Sequence, residues 1–181
     1  MHGLVSLLPE PFYGQVIDIW NELEEEYGLS GIKATPFPHF SWQIAEEYHI
    51  DQLEHQINKI SKSFNPFSIH TAGIGIFTGP QPVIYINVAK NPEMVILHTH
   101  LWEQCSIVSY GSSLLYSPKT WIPHISLAYT DISKNNLAKV TEKLAFRSFN
   151  WKMIIDNIAF IFEPEGEIGK LKFNVKLKGN N

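Results

Sequence analysis

The sequence predicts an α+β fold of two pseudo-two-fold-related lobes, each a mainly antiparallel sheet with helices on its outer face, forming a central cleft. Three observations predict it. The word PHFSW at Pro38–Trp42 returns as PHISL at Pro123–Leu127. The interval between their histidines, 124 − 39 = 85 residues, recurs downstream: SFN at 63–65 meets SFN at 148–150, Ile69 meets Ile154, and Ile76-Phe77 meets Ile161-Phe162. Each copy then runs through the same series of helix, strand, turn and strand. Identities at one offset over about forty positions mark an internal duplication.

The elements follow in order. GLVSLL is a short strand, and PFYGQVIDIWNELEEEYG is a helix with Val16, Trp20, Leu23 and Tyr27 on one face. The first histidine strand, HFSWQIAE, leads into a helix striped by Ile50, Leu53, Ile57 and Ile60. PFSIHTAGIGIF and VIYINVA are strands joined through the turn TGPQP. The next helix carries Met94, Leu97, Leu101, Cys105 and Val108 in line. The second histidine strand, HISLAYT, precedes a helix with Leu137, Val140 and Leu144 on one face, which Asp131 or Ser133 can cap. WKMIIDNIAFIF reads as one strand, followed by the turn EPEGEIG and the strand KLKFNVKL. Residues 1–181 thus form a single bilobal domain. The motif and helix–hairpin unit of lobe 1 spans about 36–90 and that of lobe 2 about 121–178, with 2–28 and 92–108 completing the lobes. VIYINVA can serve either half.

Composition narrows the function. The 181 residues are 44% hydrophobic and 18% charged, a globular balance with no apolar run long enough for a membrane span. The start, MHGLVSLLPEP, lacks the basic region and cleavage site of a signal peptide, and the single cysteine cannot form an internal disulfide, so a cytoplasmic location is expected. A net charge of −4, with Arg147 the one arginine, argues against a duplex DNA binder, which needs many cationic phosphate contacts. It leaves room for a site that takes one small phosphate-bearing group.

Strand alternation gives the motifs a chemistry. His39, Ser41 and Gln43 point to one face and Phe40, Trp42 and Ile44 to the other; His124, Ser126 and Ala128 share a face opposite Ile125, Leu127 and Tyr129. Proline before each histidine suits the first residue of a strand or an edge. Two-fold lobes bring the polar faces together across the cleft. Imidazole titrates near pH 6.5, so one ring can take a proton while the other gives one, each role worth roughly 10²–10⁴ in rate. Serine hydroxyls two residues on can donate to phosphate oxygens. The bland alternative is that duplication copied a structural strand whose histidines persisted.

Paired His-apolar-Ser-apolar tetrads, His39-Phe40-Ser41-Trp42 and His124-Ile125-Ser126-Leu127, in two homologous halves resemble the two-histidine (2H) phosphoesterase superfamily, closest in layout to its 2′-5′ RNA ligase and RNA 2′,3′-cyclic phosphodiesterase branch. The resemblance covers almost the whole chain. It implies that His39 and His124 are acid and base, that Ser41 and Ser126 hold phosphate, and that no metal is used. The substrate is then a nucleotide or RNA terminus, hydrolysed at a 2′,3′-cyclic phosphate or 2′-5′ linkage, with ligation as the reverse reaction. A monomer without cofactor or membrane partner is expected. From another class, a nucleotide- or RNA-end-binding module on the same fold lacks turnover; a third reading is a metal-dependent hydrolase built on the helix histidines.

Other candidates carry less. His98 and His100, two apart on a helix, do not share a face and make a poor metal pair. His49, His55 and His70 lack context, Glu24–Glu26 is a solvated helix end, and Cys105 lies on an apolar face as a small buried residue. Phe37, Trp121 and Tyr129 flank the motifs, where they can stack a base or pack the strand starts. Gly73–Gly75 is too short for a dinucleotide loop.

Overall fold

The computed structural model describes residues 2–179. Its strands are β1 (His2–Leu7), β2 (His39–Ala45), β3 (Glu47–Tyr48), β4 (Phe67–Phe77), β5 (Val83–Ala89), β6 (Ser109–Tyr110), β7 (His124–Ala128), β8 (Lys152–Ile155), β9 (Asn157–Phe162) and β10 (Lys170–Lys176). Its α-helices are α1 (Phe12–Tyr27), α2 (Ile50–Ser61), α3 (Pro92–Cys105) and α4 (Leu137–Ala145).

The helices begin and end where local chemistry directs. α1 stops at Gly28, whose φ of 70° is a left-handed conformation that costs glycine nothing, and the Gly28 N–H returns to the Glu24 carbonyl. α3 starts with Asn91 accepting from the Met94 N–H at 2.8 Å and proline in the first turn. α4 begins later than the Asp131 or Ser133 cap expected. Those residues are used before it: Asp131 Oδ2 accepts from the Gly31 N–H at 2.6 Å, and the Ser133 N–H donates to Asn136 Oδ1.

Two four-stranded antiparallel sheets carry the fold, ordered β10-β9-β1-β2 and β7-β5-β4-β8, with β3 and β6 forming a small separate ladder. The first sheet is backed by α3 against β2 and α2 against β9 and β10; the second by α1 against β7 and α4 against β4. One continuous core fills the space beneath both, with Phe40, Trp42, Ile84, Ile86, Ile125 and Phe160 among its fully buried side chains.

Each sheet draws strands from both halves of the sequence. WKMIIDNIAFIF is not one strand but two, broken at Asp156: β8 pairs in the second sheet and β9 in the first. Asn157 fixes the crossing, its side chain exchanging hydrogen bonds with the Leu7 N–H and carbonyl at 2.9 Å each. The spans 36–90 and 121–178 therefore each place strands in both sheets. The repeating unit is β1-α1-β2-α2-β4, answered by β5-α3-β7-α4-β8/β9, with β5 opening the second unit.

The pairing of β4 with β8 lies on the pseudo-two-fold axis. Phe67 pairs with Ile155 and His70 with Lys152. Shifting the first pair by the 85-residue offset (67 + 85 = 152; 155 − 85 = 70) generates the second. No helix among the described residues is long and apolar enough to cross a membrane.

Candidate functional site

Both histidine strands lie at the edge of a sheet, β2 in the first and β7 in the second, and the two strands touch. The start of each is tied in the same way. The Leu8 N–H donates to the Pro38 carbonyl at 3.0 Å and the Val88 N–H to the Pro123 carbonyl at 3.2 Å, so each proline's oxygen is used where its missing N–H is not needed.

The two imidazoles are anchored alike. His39 Nδ1 lies 2.5 Å from the Phe37 carbonyl and His124 Nδ1 lies 2.7 Å from the Ile122 carbonyl. A carbonyl can only accept, so each Nδ1 carries the proton and each Nε2 is left with a free lone pair. Both rings are half-buried. Burial pushes the His39 pKa down to about 4, and the nearby charge of His124 acts in the same direction. Burial also lowers the His124 pKa. The influence of His124 on His39 puts the two rings within electrostatic reach of one another.

His39 pairs with Leu7 and Ser41 with Val5; His124 pairs with Asn87 and Ser126 with Tyr85. Each His–Ser pair thus shares a sheet face, as alternation requires. Past the serine, however, both strands bulge. Gln43 pairs with Leu4, leaving Trp42 as the extra residue, and Ala128 pairs with Ile84, leaving Leu127 as the extra residue. A bulge breaks the alternation, so Gln43 and Ala128 turn away from the histidine face, contrary to the sequence reading. Gln43 is fully buried, donating to Ser106 Oγ at 2.9 Å and accepting from the Tyr48 hydroxyl. Ala128 joins the core.

The walls beside the histidines differ. His124 is met edge-on by Phe77 and Tyr85, with ring centroids 4.8 and 5.2 Å away, and Asn87 is its cross-strand neighbour. Tyr85 lies over Gly75, where an added Cβ would come within 2.5 Å of its ring. On the other side stand Leu7, Val5, Ala159 and Ile161, an apolar cluster over which Phe37 packs. Phe37 is therefore a packing residue; Tyr129 stays exposed.

Trp121 is buried, stacked on Trp42 at 5.4 Å and on His98 at 3.7 Å, and its indole N–H donates to the Ser41 carbonyl at 2.9 Å. His98 Nε2 lies 3.2 Å from the Trp42 carbonyl and 3.0 Å from the Tyr116 carbonyl, and both can only accept. The ring is a buried donor joining α3 to β2 and to the segment before β7. Burial pushes its pKa down to about 4 and the Cys105 thiol up to about 12. Arg147 pairs with Glu22 of α1.

Sequence reasoning missed the aromatic wall and the indole contacts. Alternation along β5 puts Tyr85 and Asn87 on one face, but only pairing reveals that this face belongs to His124. The hollow lined by Pro9, Phe12 and Met153, like that between Gln15 and Trp151, holds neither histidine.

Comparison with known proteins agrees with this layout. The family description "2′-5′ RNA ligase superfamily" matches residues 9–166. A Bacillus anthracis protein provisionally named a phosphoesterase is 26% identical over 148 residues, covering 80% of this chain and 81% of the relative. Among solved structures, TT0787 of Thermus thermophilus superposes with a TM-score of 0.63 at 16% identity, covering 99% of both chains. E. coli LigT complexed with NADP+ gives 0.58 at 12% identity, covering 98% of this chain and 96% of that one. At such identities the structural likeness is one of fold.

Proposed function

The chain belongs to the 2′-5′ RNA ligase superfamily, a family of two-histidine phosphoesterases, and from that premise we propose that it hydrolyses 2′,3′-cyclic phosphates of nucleotides or RNA ends, or related 2′-5′ phosphodiesters, without a metal. One observation carries this reading: two imidazoles, each tied to a backbone carbonyl through Nδ1, leave Nε2 free within electrostatic reach of one another.

In the proposed reaction the Nε2 of one neutral ring takes a proton as a water oxygen bonds to phosphorus. The Nε2–H of the other, protonated ring gives its proton to the departing ribose oxygen as the P–O bond breaks, leaving a phosphomonoester. Ser41 and Ser126 donate from both sides to non-bridging oxygens, where charge accumulates. Burial alone leaves both rings neutral at pH 7. A phosphate between them supplies the negative charge that favours one imidazolium. The same groups run the reverse joining of a cyclic phosphate to a 5′-hydroxyl. LigT complexed with 3′-AMP offers a likeness on the ligand side, and a nucleotide terminus is the substrate class proposed here.

The test is turnover of each 2′,3′-cyclic nucleotide and of 2′-5′ linked dinucleotides, with and without chelator. Product that persists with chelator and falls by about 10²–10⁴ in His39→Ala and in His124→Ala is the expected result. Turnover indifferent to either substitution would overturn the reading. Binding without turnover would point to a non-catalytic module, and loss with chelator to a metal-dependent hydrolase.

A further inference from the structure

β2 and β7 are edge strands, so the outward backbone groups of their motif serines have no neighbouring strand to bond. Two tryptophans meet that need, crosswise. Trp121, just before the second motif, donates its indole N–H to the carbonyl of Ser41 in the first motif at 2.9 Å. Trp20, on α1 of the first half, donates its indole N–H to the carbonyl of Ser126 in the second motif at 3.1 Å. The two tryptophans are not equivalent under the repeat: one sits in a loop, the other in a helix. The same contact on equivalent serines is therefore not a by-product of duplicated sequence.

We propose that Trp121 and Trp20 are positioning residues that hold Ser41 and Ser126 in register for phosphate by clamping their backbone carbonyls, each from the opposite half of the chain. The proposal rests on the reading of the two serines as phosphate ligands. Both indoles are almost fully buried, at 2% and 3% exposure, and each supplies an outward serine carbonyl with its donor, in a contact that is buried at Ser41 and partly buried at Ser126. Each clamp grips the residue just before a bulge, where the ladder to the next strand is interrupted and the backbone is least constrained. Trp121 is itself held by the stack of His98 and Trp42, and His98 bonds the carbonyl of Trp42, the bulge residue. Serine Oγ is two bonds from its own backbone, so a carbonyl that swings free carries the hydroxyl with it.

Trp121→Phe and Trp20→Phe keep an aromatic ring and remove the donor. Replacement by β-(3-benzothienyl)alanine, which keeps the indole outline with sulfur in place of N–H, gives a second variant should phenylalanine prevent folding. Backbone ¹³C′ shifts of Ser41 and Ser126, the dissociation constant of inorganic phosphate from amide shifts, and steady-state constants on 2′,3′-cyclic nucleotides are then compared. Loss of the Trp121 donor is expected to move the Ser41 carbonyl and leave that of Ser126; loss of the Trp20 donor does the reverse. Each weakens phosphate and raises KM about five- to tenfold, while the pKa values of the pH profile stay in place. Variants that lower the Tm but keep the phosphate constant and KM would make the tryptophans merely structural and overturn the proposal. Phosphate binding needs no turnover: a protein that hydrolyses none of these substrates but shows the crosswise pattern keeps the clamps and loses the phosphodiesterase reading. A wild-type protein whose serines ignore phosphate loses the clamps as positioning devices.

Discussion

His39 and His124 each give up one nitrogen to the backbone, and what remains is a pair of depressed bases. Because burial lowers both pKa values, that of His39 to about 4, the free protein at pH 7 holds little of the protonated ring that the proposed reaction needs as its acid. The profile of kcat/KM, which reports free enzyme, is expected to peak on the acidic side of pH 6.5. That of kcat peaks at higher pH, since bound phosphate favours the imidazolium. Coincident profiles would contradict this. Neither serine hydroxyl is used in a hydrogen bond among the described residues, so Ser41→Ala and Ser126→Ala should each lower kcat/KM about tenfold with little change in Tm. His98 acts on stability instead. Its folded pKa of about 4 lies below the ordinary 6.5, so the unfolded chain binds the proton more tightly. Its contribution is complete above pH 6.5 and is lost as pH falls towards 4, an effect of about 3 kcal/mol. His98→Gln, which keeps a donor but does not titrate, should flatten the fall in stability across that window by up to one proton, as read from denaturation midpoints at a series of pH values.

At the scale of elements, the bulges and the aromatic wall distinguish this site from a pair of plain strands. Gly75→Ala would drive a methyl into Tyr85, which Phe77 and His124 hold from other sides, so the ring must move where His124 leans on it. A drop in kcat/KM of about tenfold or more, with a smaller stability loss of about 1–3 kcal/mol, is expected. Unchanged kinetics would show that Tyr85 does not orient His124. The helix stripes and the His–Ser faces were legible, because periodicity and offset are local properties of the chain. Gln43 was misread for the opposite reason. A bulge is decided by the partner strand, and nothing in HFSWQIA marks where β1 slips past it. The same holds for the break at Asp156, set by the grip of Asn157 on Leu7 in a strand some 150 residues away. An indole N–H, likewise, finds its acceptor only once two halves are packed.

At the largest scale, the two sheets interleave strands from both halves of the sequence. β1 and β2 complete their sheet only with β9 and β10, and β5 and β7 only with β4. A cut in the turn after Gly79 would leave a first piece of 1–79 and a second of 80–181, each lacking strands that its sheets require. Neither alone should give a cooperative thermal transition or dispersed amide spectrum, and mixing should restore both. A half that folds alone would contradict the interleaving. The pairing of β4 with β8 also bears on how the two imidazoles came to differ. Its register is self-complementary, the kind of contact by which two identical copies of the repeat would dimerise, each lending its last strand to the other. In such a pair every change is made twice, so the two flanks of the shared centre stay alike. A single continuous chain removes that constraint. Here one ring faces tyrosine, phenylalanine and asparagine while the other faces leucine and valine, so the donor and acceptor of the proposed proton transfers can be different residues with separately adjustable affinities.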